Sequence, residues 1–120
     1  MRPGGNGPNQ YIPGFDRDDF EVVDPIFNEA DLDVAPKSIV TASPTYPPEL
    51  KRARIEGRVD VIYIVSPQGN VKSVRITDAT HRQFAESVRN ALRRWTFEPG
   101  KKDNQDVSTR VRQSFGFNLK

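Results

Sequence analysis

Residues 46–100 decide the fold, and they read YPPELKRARIEGRVDVIYIVSPQGNVKSVRITDATHRQFAESVRNALRRWTFEPG. The stretch begins with a Pro-Pro pair, continues through an alternating segment and a turn, and ends with an amphipathic segment that leads to Pro99-Gly100. No part of it carries the pattern of an active site. It predicts a small scaffold whose last strand lacks a neighbour, so the function to look for is the capture of another polypeptide.

The start of this stretch predicts a short helix. Pro47 and Pro48 suit a first helical turn, where a missing N–H costs nothing, and Glu49 complements the positive end of the helix dipole. The apolar face is narrow, so we expect the helix to stop at Gly57.

From residue 58 the apolar period changes to two, which predicts a hairpin. The alternating apolar residues of the first strand are Val59, Val61, Tyr63 and Val65. The segment Ser66-Pro67-Gln68-Gly69-Asn70 forms the turn, where Gly69 is free to take a positive φ. The returning strand is marked by Val71, Val74 and Ile76.

A second helix and a last strand complete the pattern. The helix is predicted from one apolar stripe, formed by Phe84, Val88, Leu92 and Trp95, and Pro99-Gly100 ends it. In the last strand, inward-facing residues alternate with polar and basic ones, and the inward set is Val107, Thr109, Val111, Gln113, Phe115, Phe117 and Leu119.

The element order is therefore helix, strand, strand, helix, strand. It predicts an α+β fold, with a three-stranded antiparallel sheet packed against two helices. The last strand should lie beside the first strand of the hairpin and form a sheet edge that no Pro protects, which is a receptor for an added strand. We expect the partner to bind along Val107, Ser108, Thr109, Arg110, Val111, Arg112, Gln113, Ser114 and Phe115.

Ahead of the predicted domain at 46–120, residues 1–45 predict a Pro/Gly-rich acidic linker that is largely disordered or extended. This segment carries eight acidic and three basic side chains, net −5, whereas residues 46–120 carry eight acidic and fifteen basic ones, net +7. Attraction between the acidic linker and the basic domain favours an arrangement in which the linker covers the open edge of its own chain. The segments with enough β-branched character to do so are Val22, Val23 and Ile26, or Ser38, Ile39 and Val40. A second copy could pair there instead, which would give a homodimer.

Five separated motifs, in order and at matching spacing, resemble the C-terminal domain of TonB-type energy transducers over about residues 44–119. The residues that carry the resemblance are Tyr46, Pro47, Gly57, Gly69, Trp95, Phe97, Pro99 and Gly100. The resemblance implies that these residues are structural and that the domain is periplasmic, in a parent protein anchored in the inner membrane. The anchor is absent here, so we interpret the chain as a fragment.

The resemblance also implies two partners. One is the short N-terminal segment, the TonB box, of an outer-membrane TonB-dependent transporter, bound by strand addition. The other, for the parent protein, is a proton-driven motor complex of the ExbB/ExbD type, whose force lets the transporter admit siderophores, cobalamin or other large ligands.

Other functions stay open. The fold could serve another envelope-assembly or regulatory protein as an interaction domain, or the basic residues could form a nucleic-acid surface, although no aromatic platform accompanies them. We expect no enzyme, no cofactor and no metal. Asp103 and Asp106 lie in a polar loop, the single His81 has no Cys or second His beside it, and Trp95 is expected in the core.

Overall fold

The computed structural model describes residues 25–119, and their fold is the predicted one. The elements in chain order are β1 (Ile26–Asn28), a 3-10 turn (Glu29–Asp31), β2 (Lys37–Val40), α1 (Pro48–Arg52), β3 (Gly57–Val65), β4 (Val71–Ala79), α2 (Arg82–Leu92), β5 (Thr96–Glu98), β6 (Gly100–Lys102) and β7 (Gln105–Phe117). β3 lies between β4 and β7 and pairs antiparallel with both. The predicted three antiparallel strands and two helices are confirmed, and β1 (parallel) and β6 (antiparallel) add to β7 to make a five-stranded sheet.

The β3–β4 turn is built by two residues that the sequence singled out. Gly69 has φ of 89°, and a Cβ there would lie 2.1 Å from the carbonyl oxygen of Phe97. The buried Ser66 accepts hydrogen bonds on its hydroxyl from the backbone N–H groups of Gln68 and Asn70 at 3.3 and 3.1 Å. The turn is therefore packed against the strand that follows α2, and only a residue without a side chain fits its tip.

The hydrophobic core lies between α2 and one face of the sheet. Its fully buried residues come from β3 and α2, and they are Val59, Val61, Tyr63, Val65, Phe84, Val88 and Leu92. β7 contributes Phe117, whose ring stacks on Phe84 with centroids 4.3 Å apart. Tyr46 meets both rings edge-on, at 5.6 Å each, so the segment before α1 closes the core.

The second helix is shorter than the prediction. α2 ends at Leu92, and the N–H groups of Arg94 and Trp95 bond to carbonyls three residues back, at 3.0 and 3.1 Å. This 3-10 turn ends the helix before β5. Half-buried Trp95 therefore lies between α2 and β5 and is not the last residue of the helical stripe. At this position the Trp95 ring contacts the rings of Phe97 and Phe115, with centroids 6.0 and 5.9 Å away. Trp95, predicted in the core, is partly buried and packs against it.

The segment before the domain is attached to it at three places. β1 pairs parallel with β7, β2 pairs antiparallel with β5, and the indole Nε1–H of Trp95 donates to the carbonyl oxygen of Ala42 at 2.9 Å. The predicted linker at 1–45 is thus extended and paired where the structure describes it, and its boundary at 46 stays a prediction. Val22 and Val23 lie outside the described residues.

Neither helix between residues 25 and 119 has the length and apolarity that crossing a bilayer requires.

Candidate functional site

The outer edge of β7 is the feature that a partner strand could use. β3 pairs with one side of β7 from Thr109 to Phe117. On the side away from β3, β1 lies opposite Ser108–Arg110, and β6 forms a hairpin with residues 105–107. Among residues 25–119, no strand pairs with the outer side of residues 111–117. These seven residues leave a run of backbone N–H and C=O groups without a ladder partner.

This open segment is held rigidly from behind. Val111 and Phe117 are buried in the core, and half-buried Phe115 packs on Trp95. The intervening residues Arg112, Ser114 and Gly116 are exposed. The period-two alternation predicted for this part of the strand is therefore present. A fixed edge needs little reorganisation to accept an added strand.

The structure divides the nine residues predicted to contact a partner into three groups. Val107 lies in the hairpin with β6, opposite Gly100. The three residues Ser108, Thr109 and Arg110 are covered by β1. The five residues Val111, Arg112, Gln113, Ser114 and Phe115 remain open on the outer side within the described part of the chain. Partner binding at all nine stays a prediction.

Ser108 corrects one detail of the predicted alternation. The alternation leaves Ser108 out of the inward-facing set, but it is 1% exposed. Its Cα lies opposite that of Ile26, and its neighbour Arg110 donates from Nη1 to the Asn28 side-chain oxygen at 3.1 Å. The N-terminal segment therefore shields the beginning of β7, which a pattern read from β7 alone does not reveal.

The exposed face beside the open edge carries charge of both signs. Ser114 donates to Asp60 Oδ1 at 2.6 Å, and Asp60 also forms an ion pair with Arg58 at 3.3 Å. Arg112 lines the same shallow cavity of about 370 Å³ as Asp60 and Thr77. An added strand would thus meet the Arg112 side chain near the start of the open edge, whereas Asp60 lies one strand further in and is already paired with Arg58 and Ser114.

The opposite edge of the sheet is less suited to pairing. β4 pairs with β3 through two register shifts, and Ser73 in β4 has φ of 54°. The Arg89 guanidinium also donates to the Val74 carbonyl at 3.2 Å, which occupies one acceptor of that strand. Bulges and an occupied acceptor blunt an edge, so β7 is the better receptor.

The residues that carry the family resemblance lie behind or beside β7 and pack within the fold. A Cβ on Gly57 would lie 2.6 Å from the Phe84 ring, so β3 begins directly under α2. Buried Phe97 packs against Tyr63, with centroids 6.1 Å apart, and Gly100 is buried where β6 meets β7. Pro47 caps α1, and Pro99 separates β5 from β6.

Tyr63 combines deep burial with a hydrogen bond to β7. Its hydroxyl donates to Gln113 Oε1 at 2.8 Å, and burial raises the pKa of Tyr63 to about 12, with the Glu29 carboxylate adding to the shift. Glu29 begins the 3-10 turn that follows β1.

The residues weighed for other chemistry have structural contacts. His81 is half-buried at the start of α2 and meets Phe84 edge-on at 5.5 Å. Asp106 pairs with Lys101 at 2.5 Å, and Asp103 lies in the β6–β7 turn with φ of 54°. In the part of the chain that the structure describes, no group of His, Cys, Asp or Glu is arranged to hold a metal ion.

Comparison with known proteins gives one consistent family. The family described as Gram-negative bacterial TonB protein C-terminal matches residues 42–119. Protein TonB of Escherichia coli is 42% identical over 67 residues, which cover 55% of this chain and 28% of that protein. Protein TonB of Pseudomonas aeruginosa is 28% identical over 93 residues, which cover 77% of this chain and 26% of that protein. The chain therefore spans about a quarter of the length of these relatives.

The fold is matched as well. The solution NMR structure of the Pseudomonas aeruginosa TonB C-terminal domain superposes with a TM-score of 0.63 at 27% sequence identity, covering 71% of this chain and 87% of that one.

Proposed function

Because this chain belongs to the TonB C-terminal family, we propose that it is the periplasmic domain of an energy transducer and that it binds outer-membrane transporters by β-strand addition. The ligand is the short N-terminal segment of a TonB-dependent transporter, the TonB box. The single observation that carries the proposal is the outer side of β7 at residues 111–117, where the described chain supplies no pairing strand.

The strength of such a contact follows from the length of the open edge. A partner segment of about five to seven residues fits beside it, and each net hydrogen bond contributes roughly 0.5 to 1.5 kcal/mol. The sum supports a reversible grip. Because main-chain groups carry the ladder, its affinity depends weakly on the partner's side chains, so one transducer can serve several transporters.

The exposed cation beside the edge supplies selectivity. Arg112 points away from the core and is exposed, so an acidic residue of the partner can pair with it at a contribution of about 0.2 to 1 kcal/mol. A register that places this acidic residue opposite Arg112 is then favoured over a slipped one.

Transmission of force is the remaining part of the proposal. In the parent protein a motor complex of the ExbB/ExbD type would pull on the linker that precedes this domain. A strand pulled along its own axis loads the ladder bonds together, so the grip resists force better than a sum of separate side-chain contacts. The Phe84–Phe117 stack and the Val111 contact tie β7 to the core and oppose its extraction.

N-methylation of the partner peptide tests strand addition, because it removes one backbone donor while it leaves the side chains intact. A series of peptides from the N-terminus of a candidate transporter, each methylated at one position, is titrated against the chain. Successive amides of a strand point to opposite sides, so we expect the loss of affinity to alternate with period two. Matched peptides with Ala at the same positions should lose little. A uniform loss, or a loss that follows the Ala series, would show side-chain recognition instead.

A further inference from the structure

The beginning of the proposed binding edge is already occupied by the chain's own N-terminal segment. β1 runs parallel to β7, with Ile26 opposite Ser108, Phe27 opposite Thr109 and Asn28 opposite Arg110. The outward backbone groups of these three β7 residues cannot pair with β1 and with a partner at the same time. A partner that extends beyond residues 111–117 toward the start of β7 therefore competes with β1.

Contacts downstream of β1 hold the segment near the edge. After the 3-10 turn, the Asp33 side chain accepts a hydrogen bond from the Asp103 backbone N–H at 2.7 Å. Val34 and Lys101 then exchange backbone hydrogen bonds of 3.2 and 2.9 Å. These contacts lie outside the β1–β7 ladder, so β1 can leave the edge while the chain remains anchored a few residues later.

β1 itself is loosely packed. Ile26 and Phe27 are half-buried and Asn28 is exposed. A cavity of about 290 Å³ lies between Phe27 and Val107, beside the β6–β7 turn. A ladder of three residues supplies few net hydrogen bonds, at roughly 0.5 to 1.5 kcal/mol each. A longer incoming strand that makes the same bonds and continues along the open edge outcompetes it.

Building on the proposed function, we propose that β1 is an autoinhibitory strand. While β1 is docked, it confines a bound partner to residues 111–117. When β1 leaves, Ser108, Thr109 and Arg110 become available and a longer partner segment gains additional pairing. The linker that precedes the domain thus controls how much of the edge a partner can use.

A reversible cross-link tests this directly, because the chain contains no cysteine. The double variant Asn28→Cys, Arg110→Cys places two thiols at positions that are opposite each other in the ladder, a spacing that a disulfide can bridge. The off-register control is Asn28→Cys, Arg112→Cys. We expect the first pair to oxidise readily and the second slowly. Comparing oxidised with reduced forms of the same variant removes the effect of the two substitutions themselves.

Two peptides from the N-terminus of a candidate transporter then report on the edge, one of about seven residues that matches the open segment and one of about ten that reaches Ser108. We expect the longer peptide to bind the reduced protein up to about tenfold more tightly than the oxidised protein, since it gains two or three further hydrogen bonds there and the displacement of β1 offsets part of that gain. The shorter peptide should bind both forms within about twofold.

Each other result has a defined meaning. Failure of the in-register pair to oxidise faster than the control would overturn the docking of β1, whatever the peptides do. Ready oxidation with equal affinity of the longer peptide for both forms would overturn autoinhibition and leave the proposed function intact. Absence of binding by either peptide to either form would overturn the proposed function, and the inference with it.

Discussion

Val111 lies opposite Tyr63 in the β3–β7 ladder and is the first residue of β7 beyond the stretch that β1 covers. Its side chain is buried against the core while the outer side of its backbone has no strand beside it in the described chain. The transition from a covered to an open edge therefore occurs at a fixed, well-packed position.

Proline substitution at this transition should abolish peptide binding. Adjacent residues of β7 direct their N–H groups to opposite sides. One of the two substitutions Val111→Pro and Arg112→Pro therefore removes a donor on the outer side of β7, and the other removes a donor to β3. Arg112 is the cleaner position, because its side chain is exposed and Val111 is buried. We expect Arg112→Ala to weaken binding only mildly. Titration calorimetry on folded variants decides the comparison, and unchanged affinity of a folded Arg112→Pro variant argues against strand addition here.

Removing residues 1–36 should free the start of the edge. This deletion takes away β1 and its acidic neighbours but keeps β2. We expect either stronger peptide binding or concentration-dependent dimerisation, because an exposed strand edge pairs with whatever strand is available. Light scattering and a binding titration on both lengths measure the two effects. Equal affinity and equal monomeric mass would identify the segment as a passive linker.

The buried tyrosine predicts how stability changes at high pH. A folded pKa of Tyr63 near 12, above the usual value of 10.0, means that the folded state holds its proton more strongly than the unfolded chain does. The stabilisation is complete below pH 10 and is lost as pH rises from about 10 to about 12, with a slope of up to about 1.4 kcal/mol per unit. Urea denaturation across this range should show a shallower decline for Tyr63→Phe. An identical decline would contradict the assignment to Tyr63.

Trp95→Phe should loosen the segment that precedes α1. The substitution removes the hydrogen bond from the indole to the Ala42 carbonyl, which costs roughly 0.5 to 1.5 kcal/mol. It retains an aromatic ring against Phe97 and Phe115. The free energy of unfolding measures the loss, and faster hydrogen exchange in the β2–β5 pair is the expected local sign. Arg93→Ala, an exposed neighbour, serves as the control and should change neither quantity.

Salt dependence separates peptide capture from nucleic-acid binding. Only diffuse Lys and Arg contacts are available for DNA or RNA, so any such binding should be weak and should collapse between low and physiological salt. Peptide binding through main-chain hydrogen bonds should fall much less. Tight, sequence-selective nucleic-acid binding at physiological salt would favour a nucleic-acid-binding function over peptide capture.

The central part of the fold could be read from the sequence because its signals are local. Alternation at Val59 and Val61 marks β3, and the spacing of Phe84 and Val88 marks α2. Gly69 marks the turn between β3 and β4, where its positive φ is in fact used. Periodicity and turn chemistry suffice where neighbours in sequence are also neighbours in the structure.

The peripheral pairings could not be read in this way. β1 is three residues long and bonds to a strand about eighty positions later, so no local period announces it. Of the two linker segments expected to cover the edge, the one that contains Ile26 covers only its start, at residues 108–110, and the one at Ser38–Val40 pairs with β5 instead. The early end of α2 was hidden for the same reason, since β5 is held by distant partners, β2 and the Gly69 carbonyl.

Amide hydrogen exchange along β7 is the most direct test of whether a partner peptide adds as a strand to this edge. Exchange is followed residue by residue in the free chain and after saturation with a peptide from the N-terminus of a candidate transporter. We expect alternate amides within residues 111–117 to become strongly protected, because only those facing away from β3 gain a partner. Amides of α2 and β4 should change little. Saturable binding that leaves exchange at residues 111–117 unchanged, or that protects β4 or α2 instead, would contradict strand addition to β7.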